Sequence, residues 1–316
     1  MSLPLLDLAC TSPAELVSAL QQDGALSLCD STVDPAIGSA ALAAASTFFD
    51  LPLADKQALA IEGSAHWRGF STMQNERDHR EQLHFGNERP PSPGPEPWRR
   101  LIGPNSWPRD ASFRAHWLAY LDTVAGVGRR LLTKLARAFD LDSSAWLGAD
   151  PYLLMKCIGY LPQPLAGPPR SGVAAHLDFS LVTLTQQDDV GGLEVMAPDG
   201  TWREVPCRPS SWLVNIGELL AYVVGERLRA TPHRVVNRSS SRRRVSMPVF
   251  VNPSLDVVLM RAATRSPEPV GPHVHAVLSP PAPPRLPFGE AEWRRKGENV
   301  WCARCCGSGS GARDYL

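Results

Sequence analysis

A histidine and an aspartate two residues apart give the first indication of chemistry in this sequence. His176 and Asp178 lie in VAAHLDFSLVTL, where apolar and β-branched residues are typical of β-structure. Side chains at positions i and i+2 of a strand project from the same face, so the imidazole and the carboxylate lie side by side. Such a pair binds a transition metal when a further ligand joins it.

The third ligand that we predict is His233, in ATPHRVVN, 55 residues after Asp178. Two neutral imidazoles and one carboxylate on one face of an octahedron hold Fe(II) and leave three positions free for other ligands. His273 and His275 also stand two apart, but no carboxylate accompanies them. We interpret that second pair as part of a loop or edge strand.

A candidate carboxylate receptor follows in RRRVSMPVFVNP. Arg244 and Ser246 again share a strand face, and a guanidinium beside a hydroxyl suits a carboxylate because the guanidinium donates two parallel hydrogen bonds. The neighbouring Arg242 shares that face without a paired hydroxyl, so it is the alternative. The run of arginines that includes Arg243 also fits a solvated basic surface.

The elements that must position these residues differ between the two halves of the chain. The first half is predicted to be mostly helical after a short opening strand in LPLLDLA. Ser12, Pro13 and Glu15 form a capping box that begins one helix, which Gly24 ends. Further helices are predicted over about 34–49 and 110–139, the latter with apolar residues at three- and four-residue steps.

The second half is β-rich, and its spacing predicts an antiparallel sandwich or barrel covered by helices. The predicted strands are Tyr152–Tyr160, Val173–His176, Leu181–Gln186, Gly192–Val195, Trp202–Val205, Trp212–Ile216, His233–Val236, Val245–Asn252 and Val257–Met260.

We divide the chain into a helical cover region over residues 1–110, a core with its long supporting helix over 111–302, and a flexible tail over 303–316. The three parts form one compact unit. The proline-rich segment 89–110 is predicted to be a loop, and it is a candidate lid. The cysteines near the end, Cys302, Cys305 and Cys306, lack a second Cys pair for structural zinc.

Composition excludes several classes of protein. The net charge of zero gives no reason to expect nucleic acid or an anionic membrane as a partner, and no apolar stretch is long enough to span a bilayer. Seven thinly spread cysteines and an N-terminus without a basic region indicate a cytoplasmic protein. We expect a monomer or weak homodimer.

Taken together, these motifs resemble the isopenicillin N synthase-like family of iron- and 2-oxoglutarate-dependent oxygenases. AAHLDFSLVTLTQQDDVGGLEV is similar to the family's first-ligand strand, GELLAYVVGERLRATPHRVVN to its second-histidine segment, and RVSMPVFVNP to its co-substrate segment. KCIGYLPQP, WRGF, LPLLDLA and DGALSLCD extend the likeness over roughly residues 3–302. The resemblance implies a double-stranded β-helix, or jelly-roll, with a helical N-terminal cover.

The resemblance also implies roles for residues. His176, Asp178 and His233 would bind Fe(II), while Arg244 and Ser246 would bind the distal carboxylate of 2-oxoglutarate. Tyr160 stands where the family has a tyrosine that hydrogen-bonds that carboxylate, although a core position fits it equally well. Departures from the family pattern are Ile158, Leu177 and Glu218, in place of Asn, Thr and Asp.

Three further residues are candidates for substrate contact. Arg68 in HWRGF either reaches the substrate mouth or forms a structural salt bridge. Lys156 shares a strand face with Tyr160 and either meets an acidic group or is an exposed strand lysine. Phe250 is in phase with Ser246 and packs in the barrel, where it can line the pocket.

The activity implied by the resemblance uses Fe(II), 2-oxoglutarate and O₂ to hydroxylate or desaturate a small molecule. The predominance of Arg over Lys, with abundant Ala and Pro, indicates a GC-rich bacterial source and favours natural-product or antibiotic biosynthesis. Asp178 argues against halogenation, since related halogenases have a small residue there. The alternatives are an oxidase of the isopenicillin N synthase type that does not use 2-oxoglutarate, and a non-catalytic ligand-binding jelly-roll.

Overall fold

Two β-sheets form the centre of the protein. The computed structural model describes residues 3–74, 78–163, 171–225, 227–262 and 286–305. The strands in these residues are β1 Leu5–Asp7, β2 Ala25–Cys29, β3 Gly69–Gln74, β4 His79–Gly86, β5 Leu153–Tyr160, β6 Val173–His176, β7 Val182–Gln187, β8 Leu193–Met196, β9 Trp202–Glu204, β10 Trp212–Ile216, β11 His233–Val235 and β12 Arg244–Val251.

The larger sheet has the strand order β1-β2-β10-β7-β12-β5-β4-β3, and the smaller one has the order β6-β11-β8-β9. All the pairs are antiparallel except β1 with β2. This arrangement confirms the predicted jelly-roll, and each strand predicted between residues 152 and 252 is present with small shifts at its ends.

The described helices are α1 Pro13–Asp23, α2 Pro35–Asp50, α3 Leu53–Gln57, α4 Ala111–Ala138, α5 Ser144–Leu147, α6 Glu218–Val223 and α7 Phe288–Cys305. Short 3-10 helices occupy Ile61–Gly63 and Pro97–Leu101. The helices predicted from capping and periodicity, α1, α2 and α4, are confirmed. Each of these helices begins after a residue whose side chain accepts a hydrogen bond from a backbone amide of the first turn. These residues are Ser12, Asp34 and Asp110.

Helices α2 and α4 cover the outer face of the larger sheet. Trp117 of α4 donates from Nε1 to the Ala41 carbonyl of α2 at 3.1 Å, and Trp212 of β10 donates to the Tyr120 hydroxyl of α4 at 3.1 Å. Gly128 lets α4 approach the sheet closely, because a Cβ there would lie 2.8 Å from a methyl of Val251. Because α2 and α4 bury the outer face of the larger sheet, its opposite face lines the space between the two sheets.

Three features differ from the predictions. Strands β2, β3 and β4 lie in the half of the chain predicted to be mostly helical after its opening strand, and helix α7 was not predicted. The predicted strand Val257–Met260 is wrong. Within the described residues, Val258 is the one position of this segment that makes a bridge, to Pro287, and Met260 is 78% exposed.

The four lysines of the chain all lie wholly or partly inside it. Lys56 donates from Nζ to the Phe49 carbonyl and to Glu81, each at 2.9 Å. Lys134 donates to the carbonyls of Leu8 and Thr11 at 2.6 Å, which ties α4 to the chain between β1 and α1.

Segment 89–110 contains the 3-10 helix Pro97–Leu101 and packs on the body of the protein. Asn105 exchanges hydrogen bonds with the backbone of Gly86 at 2.8 and 2.9 Å, and Trp107 stacks on Phe85. In the part of the chain that the structure describes, no helix has the length and apolar character needed to cross a membrane. His273 and His275, and the side chains of Cys302, Cys305 and Cys306, lie outside the described residues.

The capping box of α1 gives a test of local stability. Ser12 accepts from the Glu15 amide at 3.3 Å, and the Glu15 carboxylate accepts from the Ser12 amide at 2.8 Å. Ser12→Ala should lower the free energy of unfolding by about 1 kcal/mol because it leaves an amide of the first turn without its partner. Chemical denaturation measures this change. The matched control is Ser18→Ala, on the exposed face of α1, and an equal loss in both variants would contradict the capping role.

Candidate active site

Pairing between β6 and β11 brings the predicted metal ligands together. His233, at the start of β11, is the direct partner of His176, at the end of β6. Asp178 follows β6, and one ligand atom from each of the three residues lies within 4.8 Å of the others. Nε2 of His176 is 3.6 Å from one carboxylate oxygen of Asp178, and Nε2 of His233 is 3.5 Å from the other.

Backbone carbonyls fix the orientation of both imidazoles. Nδ1 of His176 is 2.9 Å from the Ala174 carbonyl oxygen, and Nδ1 of His233 is 3.0 Å from that of Thr231. A nitrogen that bonds to a carbonyl oxygen must carry the proton, so each Nε2 presents its lone pair toward the centre of the site. Burial and the neighbouring His233 lower the pKa of His176 far below its ordinary value, which keeps the ring neutral.

Asp178 is 4% exposed and remains ionised. Burial raises its pKa, but the two imidazoles and hydrogen bonds from Thr183 and Asn215 outweigh burial and hold the pKa below its ordinary value. Nδ2 of Asn215 donates to the carboxylate at 2.8 Å. The triad lies in the space between the two sheets, which we call the cavity. Two neutral nitrogen donors and one charged oxygen donor, preoriented on one side of it, fit a ferrous ion with open coordination positions.

A buried arginine lies along the same interior surface. Arg244 is 0% exposed, and its guanidinium lies 4.7 Å from the centre of the Tyr160 ring. Its Nε donates to the Gly191 carbonyl at 2.6 Å, and its Nη2 donates to the Gln187 side chain at 2.7 Å. Among the described residues, its Nη1 has no hydrogen-bond partner. Ser246 follows on the same face and is 2% exposed. An unpaired buried guanidinium nitrogen beside a hydroxyl can receive a carboxylate.

The structure distinguishes the three consecutive arginines. Arg242 is exposed, lies before β12 and pairs with Asp189, so the expectation that it shares the interior face is wrong. Arg243 donates to Glu81 at 2.6 Å. Only Arg244 points into the space between the sheets, because β12 begins there and its alternation sets the direction of the side chain.

Two sequence families match the chain over most of the region that builds this site. Residues 150–253 match the 2OG-Fe(II) oxygenase superfamily, and residues 3–110 match the family described as non-haem dioxygenase in morphine synthesis N-terminal. The chain belongs to the 2OG-Fe(II) oxygenase superfamily. Fe(II), 2-oxoglutarate and O₂ are the cofactor and co-substrates of that superfamily, and the donor set described above fits them.

Relatives of this oxygenase include fungal proteins. It is 32% identical over 235 residues to the 2-oxoglutarate-Fe(II) type oxidoreductase hxnY of Emericella nidulans, a match that covers 68% of this chain and 66% of the relative, just under two thirds of its length. It is 29% identical over 252 residues to the 2-oxoglutarate-dependent dioxygenase tropC of Talaromyces stipitatus, covering 73% and 77% of the two chains.

Solved oxygenase structures have the same fold. A full-length protein of Neurospora crassa, in complex with alpha-KG and thymine, superposes with a TM-score of 0.77 at 18% identity over 94% of this chain and 97% of that one. A putative 2OG-Fe(II) oxygenase family protein from Caulobacter crescentus gives a TM-score of 0.75 at 25% identity over 94% and 99%.

The predicted substrate residues of this oxygenase lie in different surroundings. Lys156 is not an exposed strand lysine, because it is partly buried and its Nζ lies 5.4 Å from the centre of the Phe250 ring. Arg68 is 1% exposed and donates to the Tyr152 hydroxyl and the Leu101 carbonyl, each at 3.1 Å. It packs over Gly86, where a Cβ would lie 2.1 Å from Nη2, so Arg68 stabilises the wall of the cavity through neutral partners.

Helix α7 covers the metal end of the cavity. Phe288 stacks on Phe179, the residue after Asp178, at 6.1 Å between ring centres, and Arg295 lies 5.6 Å from the Phe179 ring. Glu292 pairs with Arg295 at 2.8 Å and with Lys296 at 3.3 Å. Sequence reasoning missed this helix, whose packing partners are distant in the chain.

Polar residues on β4 were also missed. Arg80, Gln82 and His84 point into the cavity, whereas Leu83 and Phe85 belong to the core on the helix side. This period-two alternation was the signal that could have found the strand.

His84 gives a test of this interior polar face. Burial, followed by nearby Lys156, Lys296, Arg68 and Arg80, lowers its pKa well below 6.5. As the pH falls, the imidazole of His84 is therefore protonated in the unfolded chain before it is protonated in the folded chain. The free energy of unfolding should consequently decrease below pH 6.5. One such group contributes a slope of up to about 1.4 kcal/mol per pH unit.

The His84→Gln variant should lose that part of the pH dependence, as measured by urea denaturation between neutral and mildly acidic pH. His116→Gln on α4 is the control, since an exposed imidazole is hydrated in both states. A slope that is unchanged in His84→Gln would show that His84 takes up protons equally in the folded and unfolded chain.

Proposed function

We propose that His176, Asp178 and His233 bind Fe(II), and that the protein uses this ion to hydroxylate a small molecule with consumption of 2-oxoglutarate and O₂. The observation that carries the proposal is the buried triad, whose nitrogen and oxygen donors point to one centre. Membership of the oxygenase superfamily supports the same chemistry.

Each residue of the triad has a defined task in this proposal. The two Nε2 atoms donate lone pairs, and the Ala174 and Thr231 carbonyls keep them in that orientation. Asp178 supplies one negative charge, so the bound ion keeps a net positive charge for an anionic co-substrate. Asn215 holds the Asp178 carboxylate in place. Iron held by these residues would activate O₂ for C–H cleavage, with one oxygen atom entering the substrate as a hydroxyl group and the other entering succinate as 2-oxoglutarate loses CO₂.

We assign 2-oxoglutarate binding to Arg244, Ser246 and Tyr160. The unpartnered Nη1 of Arg244 is a buried donor for which a carboxylate oxygen is the natural acceptor. Ser246 adds a hydroxyl on the same face, and the ring of Tyr160 supports the guanidinium. The contacts to Gly191 and Gln187 restrict the rotation of Arg244, so little side-chain entropy is lost on binding.

The substrate in this proposal is a small molecule, and hydroxylation is the default outcome. The Neurospora crassa protein, which is similar in fold, is described with thymine and alpha-KG bound. The Asp178 carboxylate occupies the position that a halide takes in related halogenases, which argues against halogenation. Residues 89–110 as part of a lid, the three-part division of the chain, a monomer or weak dimer, a cytoplasmic location and a role in bacterial antibiotic biosynthesis remain predictions.

Removing a ligand tests the metal assignment. His176→Ala or Asp178→Ala should weaken Fe(II) binding by more than the roughly 10–100-fold that is typical of losing an outer-shell partner, because a direct donor is lost. Anaerobic titration of the metal-free protein with Fe(II) measures this change. His116→Ala, which removes an exposed histidine, is the control for non-specific binding. Stoichiometric iron binding in both ligand variants would contradict the assignment.

Arg244→Gln tests the co-substrate assignment. Loss of one partner of a charge-assisted pair costs about 2 kcal/mol or more, so the Kd for 2-oxoglutarate should rise about 30-fold. Arg242→Gln is the matched control because its exposed side chain pairs with Asp189. Calorimetric titration of the anaerobic Fe(II) protein gives both constants. Equal affinity in the Arg244 variant and the wild type would remove the role from Arg244.

Succinate distinguishes this function from an oxidase that does not use 2-oxoglutarate. An enzyme of the proposed class forms succinate in air when 2-oxoglutarate is supplied, and none under anaerobic conditions.

A further inference from the structure

A second polar surface lies inside the cavity, apart from the residues assigned to iron and 2-oxoglutarate. It consists of Arg80, Gln82 and His84 on β4 and Lys156 on β5, and we call it the β4–β5 polar face. His84 lies directly opposite Lys156 in the register of β4 and β5. Cys157, the residue after Lys156, is buried in the helix-side core, which fixes the inward direction of Lys156 by alternation.

Several atoms of the β4–β5 polar face are buried without a hydrogen-bond partner in the described chain. They are Nε of Arg80, Oε1 of Gln82 and Nε2 of His84. Arg80 is 3% exposed and Gln82 is 6% exposed. Each unsatisfied group costs about 1–3 kcal/mol, so a cluster of them in one cavity indicates that their partner is a ligand.

Lys156 is a partly buried amine without an ion-pair partner. No acidic side chain of the described residues forms an ion pair with it, and its Nζ lies 5.4 Å from the centre of the Phe250 ring. The nearby Arg80 pairs with Asp78 at 3.5 Å, while Arg295 and Lys296 share Glu292. Burial, then Arg80, Arg295 and Lys296, lower the pKa of Lys156 to about 7, against a small opposing effect of Asp178. Lys156 is therefore an amine without a carboxylate partner among the described residues, and a bound carboxylate would favour its protonated form.

The rest of this surface is apolar or weakly polar. Phe250 lies beside Lys156, and the Met73 sulfur accepts hydrogen bonds from Arg80 at 3.3 Å and Gln82 at 3.5 Å. Asp178 is near enough to affect Lys156, so a ligand held there lies beside the metal end of the cavity.

We infer, on the basis of the proposed function, that the substrate is a small organic acid whose carboxylate binds Lys156 and whose remaining polar atoms bind Gln82 and His84. Phe250 then packs against the hydrocarbon part. The carboxylate supplies the partner that the Lys156 amine lacks, and the polar edge satisfies the buried amide oxygen and imidazole nitrogen. This surface would select acids over their neutral analogues.

Matched acids and amides test the inference. The probes are 4-hydroxybenzoate, 4-hydroxyphenylacetate, 4-hydroxycinnamate and 6-hydroxyhexanoate, each beside its own carboxamide, so that every probe carries a second polar group for Gln82 and His84. Binding is measured by anaerobic calorimetry on protein loaded with Fe(II) and 2-oxoglutarate, for the wild type and Lys156→Met. Arg89→Gln is the charge-matched control, since the Arg89 pair with Asp150 is exposed. In the wild type, at least one acid should bind about tenfold more tightly than its amide, as expected for a charge-assisted contact.

Lys156→Met should abolish that preference by weakening the acid at least about tenfold while leaving the amide within about twofold. The variant should also unfold at an equal or higher temperature, because it replaces an unpaired, partly buried amine with an apolar side chain of similar length. The inference is overturned if no acid binds, if acids and amides bind alike in the wild type, or if the variant keeps the preference.

The Kd for 2-oxoglutarate, measured in the same samples, separates this inference from the proposed function. A wild type that does not bind 2-oxoglutarate refutes the proposed function itself. A raised Kd for 2-oxoglutarate in Lys156→Met alone assigns the lysine to the co-substrate and also overturns the inference. An unchanged Kd with loss of acid preference is the expected result.

Discussion

The antiparallel pairing of β6 with β11 is the constraint on which the site depends. It brings His233 opposite His176, although more than fifty residues separate them in the chain. Both imidazoles then lie beside the carboxylate of Asp178. A shift of one residue would turn one imidazole to the other face of the sheet, since side chains alternate. β8 pairs with the other edge of β11, and it anchors His233 to Val195 in the same register.

Polar side chains can be retained inside the protein because the two faces of the larger sheet have different surroundings. Helices α2 and α4 bury the outer face, which supplies the apolar area that folding requires. The inner face can then retain polar atoms without internal partners, such as those of Arg244, His84 and Gln82. Their desolvation opposes folding, and ligands that satisfy them bind more tightly for the same reason.

Much of the architecture could be predicted because local rules agree with the fold. The cap at Ser12, the long amphipathic α4 and the alternation of the later strands are all properties of neighbouring residues. The phase of Arg244 with Ser246 identified one arginine of three, and the structure places the other two outside the interior. β4 escaped prediction because its alternation is short: Leu83 and Phe85 are its only apolar side chains, and Glu81 on the same face is charged. Helix α7 escaped because its contacts with Phe179 and Trp98 join distant parts of the chain.

The placement of the lysines has a practical consequence. Lys56, Lys134 and Lys296 are engaged with carbonyls or carboxylates, and Lys156 lies within the cavity, so the described surface presents arginine as its long basic side chain. Reagents that acylate primary amines would find Lys56, Lys134 and Lys296 shielded in the native state and accessible once the chain opens, whereas Lys156 lies where small molecules are proposed to bind. Mass spectrometry after brief acylation would therefore report local opening at three known positions without any engineered label.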